Sequence, residues 1–181
     1  LSFLDTLTAE IMPPAFTAGG FDCGEQELSD YLCDGTARRD QEAGMARTYL
    51  VRSSGELIGY FSVLADAIRL DTRERPEGCC YSSAPSLKLG RMGVSKDKQG
   101  SGVGFWILDY IVGMARAMSS QVGIRYVTLD ALKKPTLVAW YKRYGFVENR
   151  GHEKGLARLL RLRSRDELGN RSVVRGHRIA S

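Results

Sequence analysis

Gly100, Gly102 and Gly104 fall within five residues. They follow the polar turn Ser95-Lys96-Asp97-Lys98-Gln99 and precede an apolar run that begins at Phe105. A strand, a glycine-rich turn and a helix in that order form a phosphate site. Glycines let backbone N–H groups converge without a Cβ in the way, and a helix N-terminus adds partial positive charge. Two common nucleotide loops do not fit. A P-loop ends in G-K-[ST], whereas this turn ends in Val103-Gly104-Phe105. A dinucleotide fingerprint needs a third glycine at 105 and an acid about 20 residues on. The glycine lies at 104 and no acid occurs between Tyr110 and Leu129. The pattern present is Q-x-x-G-x-G, at Gln99, Gly102 and Gly104.

Other chemistry is sparse. The only histidines are His152 and His177, and the cysteines are Cys23, Cys33, Cys79 and Cys80. They make no C-x-x-C pair and no four-ligand zinc spacing, so no metal is expected. Cys23 reads as a packing residue. Cys79 and Cys80 lie in a polar loop without a base to activate a thiol. No general base stands out.

The elements that must position the glycine turn follow from periodicity. Residues 24–44 read as a helix, with Leu28, Tyr31, Leu32 and Ala37 on one face. Arg47–Arg52 and Leu57–Leu64 read as a hairpin across Ser53–Glu56. Residues 71–85 read as loop. Leu87–Val94 is the strand before the glycine turn. Phe105–Met118 is the helix after it, with Trp106, Ile107, Tyr110, Ile111, Met114 and Met118 on its apolar face. A strand is expected at Ile124–Leu129, and a helix at Pro135–Tyr144 that Gly145 ends. Two last strands are expected at Phe146-Val147 and Leu156–Leu162. That order implies an α/β (α+β) domain with one mixed sheet.

The chain has 181 residues, 43% apolar and 26% charged, an ordinary globular mix. Its length matches one domain with a self-sufficient core. No apolar run approaches the roughly 20 residues of a membrane helix. No export signal is visible near residues 1–10, and few cysteines fit a reducing cytoplasm. The net charge of +5 is uneven: residues 150–181 hold nine Lys/Arg against three acids, a surplus of six, which leaves −1 for residues 1–149. The basic end is either a solvated tail or an arm that contacts the phosphates of RNA or another polyanion.

Gln99, Gly102 and Gly104, preceded by the strand Leu87–Val94 and followed by the Y-x-x-x-G-F element Tyr141, Gly145 and Phe146, resemble the coenzyme A loop and C-terminal signature of the GNAT superfamily of N-acetyltransferases. Phe21-Asp22-Cys23-Gly24-Glu25, with Leu28, Tyr31-Leu32 and Ala37, is similar to the opening of the GNAT-type toxins that acetylate aminoacyl-tRNA. The resemblance spans about residues 5–162. It implies a GNAT-like domain over 1–163, its central sheet mixed, mostly antiparallel and flanked by helices, followed by a basic extension over 164–181.

The resemblance also implies acetyl-CoA as co-substrate. Its pantetheine would lie beside Met92, Gly93 and Val94, with the Val94 N–H on the thioester carbonyl. Its pyrophosphate would take the N–H groups of Gly100, Ser101, Gly102, Val103 and Gly104, in a turn opened by Gln99. Tyr141 is the expected general acid, since a phenol of pKa near 10 can protonate a leaving thiolate. It also reads as a packing aromatic beside Trp140 and Tyr144, the weaker acid candidate. The implied partners are an aminoacyl-tRNA, a ribbon-helix-helix antitoxin and a second copy of the chain. The missing base favours an α-amine acceptor, which is substantially neutral near pH 7. An enzyme for a small amine or a protein N-terminus, and a non-catalytic acetyl-CoA binder, are the alternatives. The intact glycine loop and Tyr141 weigh against the last.

Overall fold

The computed structural model describes residues 2–75, 77–132, 134–148 and 156–161, the last six as backbone. A short 3-10 turn at Phe3–Thr6 leads into β1 (Leu7–Ile11). Helices α1 (Gln26–Cys33) and α2 (Thr36–Glu42) follow, then strands β2 (Arg47–Ser53), β3 (Glu56–Arg69) and β4 (Ser83–Val94). Another 3-10 turn, Lys96–Lys98, leads to α3 (Val103–Met118). The order ends with β5 (Tyr126–Ala131), α4 (Pro135–Tyr144), β6 (Val147–Glu148) and β7 (Leu156–Arg161).

The strands make one sheet in the order β1-β2-β3-β4-β5-β7-β6. Only β4 and β5 run parallel. The other pairings are antiparallel, giving the mixed, mostly antiparallel sheet expected.

Alternation along the strands splits the core into two layers. Val51, Phe61, Val63, Leu87 and Leu89 meet Val103, Ile107, Leu108 and Ile111 of α3 and Tyr141 of α4. Leu50 and Tyr60 face the other way, onto Tyr31, Leu32, Ala37, Phe21 and Cys23. Helices therefore cover both faces, with the first two and last two on opposite sides.

Two expectations change. The single helix over 24–44 is two helices, broken at Asp34-Gly35, where Gly35 takes a left-handed φ of +83°. The loop over 71–85 is shorter than expected: β3 runs on to Arg69 and β4 starts at Ser83, paired with it. β1 was not anticipated. The basic end, His152, His177 and the 163/164 boundary lie outside the described residues. No helix of the described residues is long and apolar enough to cross a membrane.

Candidate functional site

β4 carries its chemistry at a break. It pairs with β3 as far as Val94, but with β5 only over Ser86–Leu89. At Gly90 the β3 register shifts, with Ser62 opposite Arg91 and Val63 opposite Leu89. Such a bulge bends a strand and re-aims its side chains. Ser62 stabilises it by accepting the Arg91 N–H at Oγ, 3.0 Å away. Glycine suits position 90, because a Cβ there would press on Leu64 at 3.0 Å and on the Ser62 hydroxyl at 3.1 Å. Beyond the bulge, β4 leaves β5 and a gap opens between two parallel strand ends.

Met92, Gly93 and Val94 lie on the part of β4 beyond its pairing with β5. Met92 and Val94 pack towards the α3 layer. Gly93 is pressed from the other side, where a Cβ would lie 2.8 Å from Tyr60, 3.2 Å from Cys23 Sγ and 3.3 Å from Phe21. Tyr60 is wholly buried, burial raises its hydroxyl pKa, and the hydroxyl donates to Leu28 O at 2.6 Å. Ser95 N donates to Ile58 O at 2.9 Å. Backbone groups of successive strand residues alternate in direction, so those of Val94 point away from β3, into the gap.

The glycine turn sits where β4 ends. Gly100 and Gly102 take φ of +78° and +93°, conformations that side chains rarely adopt. Gly102 is the N-cap of α3, and the first intrahelical bond runs from Trp106 N to Gly102 O at 3.0 Å. The N–H groups of Val103, Gly104 and Phe105 have no helical acceptor. Val103 itself is buried, so only its backbone can meet a ligand. Ser101 Oγ donates to Lys98 O at 2.5 Å, which closes the turn.

Two candidates also serve the fold. Gly104 faces the indole of Trp140, where a Cβ would stand 2.8 Å from the ring. Its smallness lets α3 and α4 meet, while its N–H stays at the helix end. Gln99 is a tether: its Nε2 donates to Cys23 O at 2.7 Å and to Val94 O at 3.1 Å.

The Y-x-x-x-G-F element is a helix C-cap. Phe146 N donates to Tyr141 O at 3.1 Å, and Gly145 N to Lys142 O at 3.0 Å. That bond pair, with φ of +115° at Gly145, is a Schellman motif. Its hydrophobic contact is Tyr141 on Phe146, ring centroids 5.7 Å apart. Tyr141 is buried and edge-on to Trp140 at 4.8 Å. Tyr144 instead donates to Asp109 Oδ1 of α3 at 2.7 Å, and burial followed by that carboxylate raises its pKa.

Sequence reasoning missed that the opening motif and the glycine loop touch. Asp22 pairs with Lys96 at 2.7 Å, and Glu25 with Lys134 at 2.6 Å. These partners are 74 and 109 residues apart, and no local pattern reports such meetings. Cys23 is buried, as expected, and its Sγ lies 3.4 Å from Ser29 Oγ. Among the described residues, no group of three or more His, Cys, Asp or Glu is placed to hold a metal.

A strand edge open on one side can take an extended amide chain, and the helix end beside it can take a pyrophosphate. The residues present therefore fit acetyl-CoA.

Comparison with known proteins agrees. A family model described as an acetyltransferase (GNAT) domain matches residues 44–148. A tRNA-acetylating toxin of Mycobacterium tuberculosis is 25% identical over 113 residues, 62% of this chain and 68% of the relative. A tyrosine-to-phenylalanine mutant of KacT superposes with a TM-score of 0.76 at 26% identity, covering 87% of this chain and 95% of that one. AtaT complexed with acetyl-methionyl-tRNAfMet shares the fold, with a TM-score of 0.77 at 23% identity over 86% and 94% of the two chains. The chain thus belongs to the GNAT N-acetyltransferases and works with acetyl-CoA.

Proposed function

We propose that the acceptor is the α-amine of an aminoacyl-tRNA, and that the chain is the toxin of a toxin–antitoxin pair that stops translation. The observation that carries this reading is the likeness to a tRNA-acetylating toxin over 113 residues. The solved complex of AtaT with acetyl-methionyl-tRNAfMet supports it, as does the six-charge surplus of residues 150–181. A cytoplasmic homodimer restrained by a ribbon-helix-helix antitoxin belongs to the same reading.

The bound thioester supplies the acetyl group. Met92, Gly93 and Val94 offer the extended chain a backbone edge. The Val94 N–H donates to the thioester carbonyl as negative charge grows on its oxygen. The turn from Gly100 to Gly104 holds the pyrophosphate on backbone N–H groups. As the new C–N bond forms and the C–S bond breaks, Tyr141 gives its phenolic proton to the thiolate, and water takes the proton of the amine. An α-amine with pKa near 8, lowered by the neighbouring ester, needs no stronger base.

The test incubates the protein with charged tRNA and labelled acetyl-CoA. N-acetyl-aminoacyl-tRNA is the expected product. Its absence, with efficient acetylation of a polyamine or a peptide N-terminus, overturns the reading in favour of an enzyme for small or peptide amines.

A further inference from the structure

The segment Asp22–Glu25 is fastened on both sides of the β4–β5 gap. On the β4 side, Asp22 pairs with Lys96, and Cys23 O accepts from Gln99 Nε2, which also holds Val94 O. On the β5 side, Glu25 Oε1 meets Lys134 Nζ at 2.6 Å. The two strands are parallel, so Val94 and Ala131 lie at the same end of the sheet. A segment tied to residues just past both ends crosses the mouth of the gap. Glu25 is the residue that reaches over.

A cavity of about 440 Å³ opens between the two helices α1 and α2 and β4, its lining beginning at Gln26, the residue after Glu25, and reaching Asp34 and Thr36. Gln26, Glu27, Asp30 and Tyr31 line it from α1, and Arg91 from β4, its guanidinium 4.4 Å above the Tyr31 ring. It lies on the α1 face of β4, opposite the layer that holds α3. An acceptor arriving there meets β4 from the side away from the pyrophosphate turn, with room for the group that carries the amine.

We propose that Glu25 is the acceptor-binding carboxylate. It receives the incoming amine as an ammonium, which replaces Lys134 as its partner. Both side chains are about half exposed, at 54% and 53%, and ion pairs so exposed are weak, so the exchange costs little. The chemistry is like for like, one alkylammonium leaving a carboxylate as another arrives. The bound ammonium then loses its proton to water, and Glu25 itself lies two residues along the chain from Cys23, whose Sγ faces Gly93. The inference needs only the amine-acetylating activity. It does not depend on which primary amine is natural.

The test uses aminoacyl-adenosine as acceptor, which carries the amine without a phosphate chain. Glu25→Gln is expected to raise the acceptor KM about two- to fivefold, the worth of one half-exposed ion pair. It should leave kcat, acetyl-CoA affinity and melting temperature in place. Glu25→Asp should restore part of the loss. Lys134→Gln, which frees the carboxylate, should lower the acceptor KM. An unchanged KM in Glu25→Gln overturns the proposal. So does an equal rise in Glu25→Gln and Lys134→Gln, which would make the pair a plain structural strap. If wild type acetylates a free peptide amine and not aminoacyl-adenosine, the same comparison on the peptide tests Glu25, and only the aminoacyl-tRNA reading falls.

Discussion

Gln99 and Cys23 are 76 residues apart, yet the Gln99 amide donates to the Cys23 carbonyl at 2.7 Å. The same Nε2 reaches Val94 O at 3.1 Å. One side chain thus joins the opening motif, the open end of β4 and the start of the glycine turn. Gln99→Glu keeps the shape and replaces the donor with an oxygen that repels both carbonyls. The expected cost is about 1–3 kcal/mol of stability, with weaker acetyl-CoA binding because the turn loses its tether. Thermal unfolding and calorimetry measure both. Wild-type values in both assays would show that Gln99 is replaceable.

Tyr141 and Tyr144 predict opposite phenotypes. Tyr141→Phe keeps the ring that packs on Trp140 and Phe146, together with the backbone cap. Fold and acetyl-CoA affinity are therefore retained, while turnover falls about 10²–10⁴-fold, the usual worth of a general acid. Tyr144→Phe removes the bond to Asp109 that joins α4 to α3. It should cost about 0.5–1.5 kcal/mol of stability and leave turnover nearly intact. A Tyr141→Phe enzyme near the wild-type rate would reduce Tyr141 to a cap residue.

How much of this was legible varies by element, for physical reasons. The helix Pro135–Tyr144 was readable to the residue, because proline at its first turn and Gly145 past its end are both punctuation. The break at Gly35 was hidden because Leu28, Tyr31 and Leu32 are helically spaced and Ala37, five residues on, passes for a rough continuation of the same face. β1 was missed because Leu7–Ile11, LTAEI, is a short edge strand with only Leu7 buried. The start of β4 was masked by Pro85, which is tolerated just before β5 pairing begins at Ser86. Local patterns singled out the glycine turn and Tyr141 as candidates. The ties of Asp22, Cys23 and Glu25 to Lys96, Gln99 and Lys134 depend on tertiary folding and left no local trace.

Neighbours in the glycine turn should separate ligand binding from packing. Ser101 has no positive φ and lies exposed. Ser101→Glu places a negative charge beside the N–H groups that would hold pyrophosphate, so acetyl-CoA affinity should fall, while loss of the exposed Ser101–Lys98 bond lowers the melting temperature only slightly. Gly102 is a poorer test site, since its φ is +93° and a Cβ would meet Leu4 at 3.2 Å. Gly104→Ala should cost about 1–3 kcal/mol by overpacking against Trp140. Adding Trp140→Leu should return part of that loss, a coupling that a double-mutant cycle reads directly. Additive losses would place the cost of Gly104→Ala elsewhere. Full acetyl-CoA affinity in a folded Ser101→Glu protein would remove the turn from the binding site.

The last prediction concerns the charge beyond the described residues. Residues 164–181 carry Arg165, Arg171, Arg175 and Arg178 against Asp166 and Glu167. If this end contacts RNA phosphates, each contact steepens the dependence of binding on salt by about 0.7–0.9 in log–log slope. Removing residues 164–181 should then lower affinity for charged tRNA and flatten the slope. Acetyl-CoA binding should not change, since the open β4 edge and the glycine turn lie entirely within residues 92–104. Binding titrations at several salt concentrations give the slope. An unchanged slope would leave the acetyltransferase intact and make the basic end a solvated extension. Any tRNA contacts would then lie within residues 1–163.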